Sequence, residues 1–448
     1  MTRRLEDIAG AALARARNAG AEDADVILIA GRSVSIDIRS GALEQAERSE
    51  SVDIGLRVFV SRRQAIVSAS DTREDTLDTM ALRAVAMARE APEDPYAGLA
   101  ERGQLAAERD AAPLELADPA PEPTPAQLEQ DARRAEAAAQ AVTGVSQVDV
   151  ANAAYSSSEV FLAASNGFSG GYRRTARTTA CVAIAGSGTG MERDHDGDMR
   201  IWQDDLRTPE EIGTCAGERA VARLGARRPR TGAYPVLFDE RIAGSLIGHL
   251  LGAANGLAVA RGASWLADAL DKPVLPEGLS LIEDPHRPRV SGSRPFDGEG
   301  LATRRRIIVD AGRLTGWTLD LASARKLGME PTGNAVRGIS SPPSPGNWNI
   351  ALTQGQRTRG DLIRDMGTGL VVTSLIGATI NPNTGDYSRG ASGFWVENGE
   401  ITGPVNECTI AGNLREMLLG LQPADDARSW LSRVVPSLLV EGMTIAGS

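Results

Sequence analysis

The chain has 448 residues, of which 42% are hydrophobic and 24% are charged. These proportions are typical of a folded globular protein, and the length exceeds what one hydrophobic core usually organises, so we expect two domains. With 48 basic and 59 acidic residues, the net charge is −11. An acidic chain is a poor match for phosphate backbones, so we do not expect nucleic acid as a partner.

The sequence carries no sign of a membrane or secretory protein. No apolar run approaches the ~20 residues of a membrane span, and no apolar segment of a signal peptide follows Arg3 and Arg4. The three cysteines, Cys181, Cys215 and Cys408, are too scattered to form a disulfide scaffold. We therefore expect a cytoplasmic protein without a membrane partner.

Residues 1–228 are predicted to form an antiparallel α+β domain. Apolar residues three or four apart indicate a helix over 4–18, and a second helix is expected at about 74–90. Alternating residues predict strands at Asp25–Ala30, Ser33–Arg39, Val52–Val60 and Ala65–Ala69, with hairpin connections at Gly31-Arg32 and Arg62–Gln64.

Prolines interrupt residues 91–125 and predict an extended linker within this domain. A helix over about 126–142 and further strands follow, and Ser165-Asn166-Gly167 predicts a hairpin. The run Asp194–Asp198 resembles part of a calcium loop, but it lacks the later ligands, so an exposed hairpin turn is the preferred interpretation.

Residues 229–448 are predicted to form a β-rich domain with a glycine-rich helix near 240–257. Asn398-Gly399 predicts another hairpin in this part of the chain. Apolar residues of the helix lie beside small ones, and we expect them to offer a surface for dimer formation: Leu246, Ile247, Leu250 and Leu251.

Candidate chemistry is sparse. The chain has only three histidines, His195, His249 and His286, and no H-E-x-x-H, C-x-x-C, P-loop or nucleophile-elbow motif. A single histidine on an apolar helix is more often packed than metal-bound. We therefore expect no metal site within this chain.

Several segments in a fixed order resemble the TldD/PmbA family, and within it the branch called PmbA or TldE. They are Arg39–Glu44, Gly55–Val60, Ser165–Arg173, Asn334–Arg337, Asn381–Gly393 and Thr409–Leu414. The resemblance covers essentially the whole chain.

The resemblance implies a heterodimeric zinc metallopeptidase of the cytoplasm that degrades unfolded or extended peptides. The family is linked to peptide maturation, antitoxin turnover and modulation of DNA gyrase. In the TldD subunit, an H-E-x-x-x-H motif and a distant cysteine hold zinc, which would acidify a water molecule and polarise the peptide carbonyl.

This sequence departs from that motif. Gly248 and Ala253 fall where the two histidines would be, and His249 falls where the glutamate would be. The stretch Ser437–Ser448 also lacks a cysteine. The resemblance thus implies a non-catalytic subunit without a cofactor of its own, which pairs with a zinc-bearing TldD-like partner and forms a homodimer when isolated.

The same resemblance suggests a peptide channel. An extended peptide would pair with a sheet edge near Gly369–Ser374 or Ala391–Val396, and Arg389 and Asn383 would lie at the channel rim. Alternatively, Asp386 and Arg389 would only tie down their own loop. Two other classes stay open: a self-associating peptide- or protein-binding protein without a proteolytic role, and a hydrolase with a metal-independent site.

Overall fold

The computed structural model describes residues 4–447. The helices are α1 (Leu5–Asn18), α2 (Glu74–Glu90), α3 (Pro125–Gln140), α4 (Pro209–Ala222), α5 (Glu240–Ala253), α6 (Gly256–Ala260), α7 (Leu321–Leu327), α8 (Arg359–Met366) and α9 (Leu414–Leu419). The strands of the N-terminal half, which ends after α4, are β1 (Asp23–Arg39), β2 (Ala42–Val60), β3 (Arg63–Ala69), β4 (Val145–Ala164), β5 (Ser169–Ala185) and β6 (Glu192–Arg200).

The C-terminal half begins with strand β7 (Gly232–Phe238). Its other strands are β8 (Leu281–Glu283), β9 (Arg306–Asp310), β10 (Arg313–Leu314), β11 (Ala335–Val336), β12 (Ser344–Pro345), β13 (Ile350–Leu352), β14 (Gly369–Ile380), β15 (Asp386–Glu397), β16 (Glu400–Asn413), β17 (Gln422–Pro423), β18 (Arg433–Val434) and β19 (Leu438–Ala446).

One antiparallel sheet organises the N-terminal half, with its six strands in the order β3-β2-β1-β4-β5-β6. The strands of this sheet are too long for one pair of helices to cover. Helices α1 and α2 therefore cover one end of it, and α3 and α4 cover the other. The predicted periodicity of α1 is confirmed, since Leu5, Ile8, Ala12 and Ala16 are all buried.

The first predicted hairpin connection is wrong. Gly31 and Arg32 lie inside β1, where strands β2 and β4 pair with it on both sides. A glycine usually weakens a strand, but here two neighbouring strands hold its backbone. The chain turns instead at Ser40 and Gly41, which both have positive φ. The next turn lies at Ser61 and Arg62, slightly before the predicted position.

The run Asp194–Asp198 is a strand and not the predicted exposed turn. It belongs to β6 and pairs with β5 along its whole length. Asp194, Asp196 and Asp198 point the same way, are buried, and are each ion-paired with at least one arginine. Their period of two is the strand period, and buried carboxylates require such partners.

The C-terminal half contains a ring of strands. They follow the order β16-β15-β14-β7-β19, and β16 pairs again with β19, which closes the ring. A second sheet has the order β10-β9-β8-β13-β18. The largest hydrophobic cluster of the described chain lies among these elements and includes the apolar face of α5.

The predicted dimer surface on α5 is wrong. Leu246, Ile247, Leu250 and Leu251 are at most 6% exposed and belong to that hydrophobic cluster. The helix is apolar on this face because it packs inside the C-terminal half. A dimer stays a prediction, but it must use another surface.

A buried ion network joins the two halves. The guanidinium of Arg57 donates to both carboxylate oxygens of Asp25, and Nη1 of Arg337 lies 2.7 Å from Asp25 Oδ1. These side chains are at most 4% exposed. Burial alone would raise the pKa of Asp25, but the charges of Arg337 and Arg57 outweigh burial and hold that pKa below its ordinary value.

A close backbone contact reinforces this junction. A Cβ added to Gly55 in β2 would lie 2.0 Å from the carbonyl oxygen of Ile339. Only glycine therefore allows the loop after β11 to lie on the N-terminal sheet. Segment 91–125 also reaches the C-terminal half, since Arg325 donates to the carbonyl oxygens of Tyr96, Gly98 and Leu99.

The predicted α+β class is confirmed, with an antiparallel N-terminal part and a β-rich C-terminal part that contains the glycine-rich helix. The domain boundary at residues 228 and 229, and the role of 91–125 as a linker, stay predictions. Within residues 4–447, no helix combines the length and the apolar character needed to cross a membrane.

We predict that Asp25→Ala destabilises the protein strongly. The variant leaves the guanidinium groups of Arg57 and Arg337 buried without their carboxylate, a change that typically costs about 3–5 kcal/mol. Urea unfolding followed by circular dichroism measures the loss. The control is Arg48→Ala, which removes an exposed ion pair with Glu50. Equal stabilities of the two variants would contradict a supporting role for the buried network.

Candidate functional site

A cavity of about 840 Å³ lies where the two halves meet along helix α5. We call it the α5 cavity. Strand β6 and the end of α4 line it from the N-terminal half, while α5, β14, β15 and the segment around β18 line it from the C-terminal half. A space of this size suits a short peptide segment or another small ligand.

Helix α5 forms one wall of the α5 cavity. Its N-cap is Asp239, whose carboxylate accepts a hydrogen bond from the backbone N–H of Arg241. Further along the helix, a Cβ added to Gly248 would lie 3.3 Å from Nη1 of Arg433. The missing side chain at position 248 therefore leaves room for a guanidinium group against the helix.

His249 packs next to Tyr387 of β15, with the ring centroids 5.8 Å apart in an edge-on arrangement. Burial lowers the pKa of His249, and the positive charge of Arg389 lowers it further. Its Nε2 atom is buried and has no hydrogen-bond partner among the described residues. Burial also raises the pKa of the Tyr387 hydroxyl to about 12. A neutral histidine and a neutral tyrosine therefore lie beside the cation of Arg389.

The structure separates the three predicted channel residues. Arg389 lines the α5 cavity, and its Nε donates to the carbonyl oxygen of Gly377 at 2.6 Å. Asp386, the first residue of β15, accepts hydrogen bonds from Thr384 in the turn before it and from Asn413 at the end of β16, and these bonds hold its pKa below the ordinary value. Asn383 is exposed in the same turn, and neither it nor Asp386 lines the cavity.

The predicted sheet edge needs a correction. Residues 369–372 of β14 lie between β15 and β7, and β15 lies between β14 and β16, so these parts are interior. Pairing with β7 ends at Val372, however, and Thr373–Ile376 then line the α5 cavity. In the described part of the chain, no strand pairs with this stretch on its β7 side. The unpaired edge of β14 therefore begins at Thr373, near the end of the predicted segment Gly369–Ser374.

Two hydroxyl groups on the cavity wall lack partners. Thr373 is 6% exposed, and both its Oγ1 atom and the Oγ atom of Ser245 are buried without a hydrogen bond among residues 4–447. Buried polar atoms are nearly always hydrogen-bonded, so these two hydroxyl groups, carried by residues that line the cavity, are candidates for a bond to a ligand or a water molecule.

The charges of the α5 cavity are unevenly distributed. Its carboxylates are already paired: Asp194 contacts Arg241 at 3.1 Å and Arg223 at 3.5 Å, and Glu240 is paired with Arg428. Arg389 and Arg433 also line the cavity and have no carboxylate partner among the described residues. The cavity is therefore positively charged overall.

The residues of this region do not fit a zinc ion. Gly248 and Ala253 supply no donor atom, and the guanidinium of Arg433 lies against position 248. Across residues 4–447, no group of three His, Cys, Asp or Glu side chains is arranged so that it could hold a metal ion. We therefore assign no metal-dependent step to this chain.

The fold and the α5 cavity define a two-part α+β protein with a peptide-sized, cationic cavity between its halves. Three family models match consecutive parts of the chain: PmbA/TldA metallopeptidase domain 1 at 24–88, the central domain at 118–224 and the C-terminal domain at 231–447. The chain belongs to the PmbA/TldD family, which confirms the predicted resemblance.

Similar proteins extend over nearly the whole chain. Metalloprotease PmbA of Escherichia coli O157:H7 is 36% identical over 99% of this chain and 96% of its own length. The Metalloprotease PmbA homolog of Haemophilus influenzae is 34% identical over 97% of this chain and 94% of its own length.

Solved structures share the fold. A Bacteroides thetaiotaomicron protein described as a modulator of DNA gyrase superposes with a TM-score of 0.88 at 26% identity, and the match covers 100% of both chains. TldE from Thermococcus kodakarensis has a TM-score of 0.82 at 20% identity, with 97% of this chain and 99% of that chain covered. The latter shows likeness of fold alone.

Sequence reasoning missed much of the cavity wall. Arg433 and Ser245 carry no local motif, and only the tertiary fold brings Arg433 beside α5, whereas Thr373 lies within the predicted edge segment Gly369–Ser374. The role of Asp194 could have been found, since acidic residues at every second position indicate one face of a strand.

We predict that Arg389→Gln raises the pKa of His249 toward its ordinary value. The variant removes a nearby positive charge, while burial still keeps the pKa below that of an exposed histidine. An NMR titration of the histidine ring signals measures the change, and His249→Gln assigns the signal among the three histidines. An unchanged pKa would show that His249 does not sense the charge of Arg389.

Proposed function

We propose that this chain is the non-catalytic subunit of a cytoplasmic heterodimeric metallopeptidase that degrades unfolded or extended peptides. Its partner would be a TldD-like subunit that holds the zinc ion, and the isolated chain would form a homodimer. The name metalloprotease PmbA, carried by similar proteins that match nearly the whole chain, supports the assignment to a metallopeptidase. A link to modulation of DNA gyrase is part of the proposal, because a structural relative carries that description.

One observation carries the proposal. Where the resemblance places the metal-binding helix, α5 lines a cavity with glycine at position 248 and an arginine against it. Arginine stays protonated at physiological pH, so it neither binds a cation nor accepts a proton from water. This wall of the cavity is therefore suited to holding a substrate and unsuited to activating water.

The second candidate is a self-associating peptide- or protein-binding protein without a proteolytic role. The unpaired hydroxyl groups of Ser245 and Thr373 favour peptide binding in either case. The two candidates differ in the need for a zinc-bearing partner, so reconstitution with such a partner separates them.

We predict that the isolated chain cleaves no peptide, holds no stoichiometric zinc after dialysis, and becomes part of an active complex when mixed with a homologue that carries H-E-x-x-x-H. Light scattering should give a dimer for the chain alone and a heterodimer for the mixture. Elemental analysis and cleavage of an unfolded peptide, with and without chelator, test the chemistry. A mixture no more active than the homologue alone favours the second candidate, and chelator-resistant cleavage by the chain alone indicates a metal-independent hydrolase.

We also predict that Arg389→Ala lowers peptide turnover by the reconstituted pair, while heterodimer formation persists. The reason is the loss of a cation from the cavity wall, whereas Asp386→Ala should affect only the turn between β14 and β15. Turnover by the two variants, together with their thermal stability, measures the difference. Unchanged turnover by Arg389→Ala would leave only the loop-anchoring role through the carbonyl group of Gly377.

A further inference from the structure

We propose that the α5 cavity recognises a carboxylate group of an extended peptide through Arg389 and Arg433. This inference rests on the proposed function and makes it more specific, because it names the chemical group by which the substrate is held. Four features of the cavity support it: unpaired cations, unpaired hydroxyl groups, a free strand edge and apolar surface.

The cations of the cavity differ in what they already bind. Arg241 and Arg223 contact Asp194, and Arg193 lies 3.6 Å from a carboxylate oxygen of Asp149. Arg389 uses its Nε for the carbonyl oxygen of Gly377 and makes no ion pair with a described residue. Its terminal nitrogens thus keep donors available for a ligand.

Arg433 lies on the same wall and likewise makes no ion pair with a residue in the range 4–447. It sits against Gly248 of α5. Both guanidinium groups therefore belong to the lining of one cavity. Charge-assisted bonds to a carboxylate are among the strongest hydrogen bonds in proteins, and the fork of an arginine fits both carboxylate oxygens.

The peptide backbone also has groups to pair with. Thr373–Ile376 present a strand edge that no described strand covers on the β7 side, and Thr373 Oγ1 and Ser245 Oγ lack partners. Main-chain pairing with a sheet edge binds an extended segment whatever its sequence. A bound peptide would thereby satisfy hydroxyl groups that the fold leaves unpaired.

Apolar surface completes the cavity. The side chain of Ile376 is 73% exposed and that of Leu431 is 38% exposed, although both are large hydrophobic residues. Both line the α5 cavity. They offer contact to an apolar side chain of the peptide, so the expected ligand combines an extended backbone, an apolar residue and one carboxylate.

The carboxylate has two sources, the C-terminus of the peptide or the side chain of an acidic residue. Three fluorescein-labelled unstructured peptides of equal length distinguish them. The first has a free C-terminus and no acidic residue, the second has an amidated C-terminus and no acidic residue, and the third has an amidated C-terminus and one internal aspartate.

Fluorescence anisotropy with the isolated full chain measures their affinities. We expect the first or the third peptide to bind about tenfold or more tightly than the second, as is typical when a charge-assisted bond is added. Tighter binding of the first identifies the C-terminus, and tighter binding of the third identifies an acidic side chain. Equal affinities for all three peptides would overturn the proposal.

Matched variants locate the binding site. Arg433→Gln and Arg389→Gln should each reduce the preference for the carboxylate to about threefold or less, while Arg48→Gln removes the same charge from an exposed position of β2 and should leave it unchanged. Thr373→Val, which keeps the shape of the side chain, should lower the affinity for all three peptides to the same extent. A carboxylate preference that survives both arginine substitutions would overturn the proposal, and circular dichroism verifies that each variant is folded.

The binding assay is independent of the proposed proteolytic complex. Carboxylate-dependent binding by the isolated chain, combined with an inactive reconstituted pair, would support the recognition site and contradict the peptidase role. An active reconstituted pair, combined with equal binding of all three peptides by the isolated chain, would support the peptidase role and contradict the recognition site. The two proposals can therefore fail separately.

Discussion

The buried contact between Asp25 and the arginines Arg57 and Arg337 is the constraint on which the arrangement of the two halves depends. Two cations and one anion lie in a region that excludes water, where each charge alone would be costly. Because Arg337 comes from the C-terminal half and the other two from the N-terminal sheet, separating the halves would expose or unpair them. The network thus favours one relative position of the halves over others.

A neighbouring network explains the family-like segment Asn334–Arg337 in physical terms. The carboxylate of Glu283 is 1% exposed and accepts hydrogen bonds from the side chain of Asn334 and the backbone N–H of Trp348. The backbone N–H of Ala335 donates to Asp297. Asn334 and Ala335 therefore order the C-terminal half around β11, Arg337 of the same segment contacts Asp25 across the junction, and the segment lies outside the cavity lining.

A second contact between the halves lies at the α5 cavity itself. Asp194 of β6 is paired with Arg241 of α5, and Arg223 after α4 donates to the hydroxyl of Ser392 in β15. These bonds fix Arg241 and Arg223 in place and neutralise part of their charge. The cavity thus has a rigid polar base, while Arg389 and Arg433 stay available for a ligand. The network of Asp25, Arg57 and Arg337 sets the relative position of the halves. The ion pair of Asp194 with Arg241 orders the side chains of the α5 cavity between them.

Local sequence patterns predicted the elements that local interactions specify. The amphipathic period of α1 and the Asn-Gly turns after β4 and β15 depend on residues close in sequence. Strand β1 is longer than the two strands predicted for it, because Gly31 and Arg32 interrupt the alternation of apolar and polar residues while pairing with β2 and β4 continues. Pairing between distant segments cannot be inferred from such a stretch alone.

The candidate site likewise combines residues that the local sequence indicates with residues that only the tertiary fold brings together. The sequence predicts α5 and singles out Arg389 and the strand segment that contains Thr373, whereas only the tertiary fold brings Arg433 to the cavity. The role of Arg389 stays a prediction. A zinc centre and a pair of guanidinium groups both present positive charge to a peptide, but only zinc offers an open position for water. With Gly248 and Arg433 on this wall, the cavity presents positive charge, and the described residues offer no ligand set for zinc. The substrate-binding role that we propose for this chain therefore needs no water-activating residue on α5.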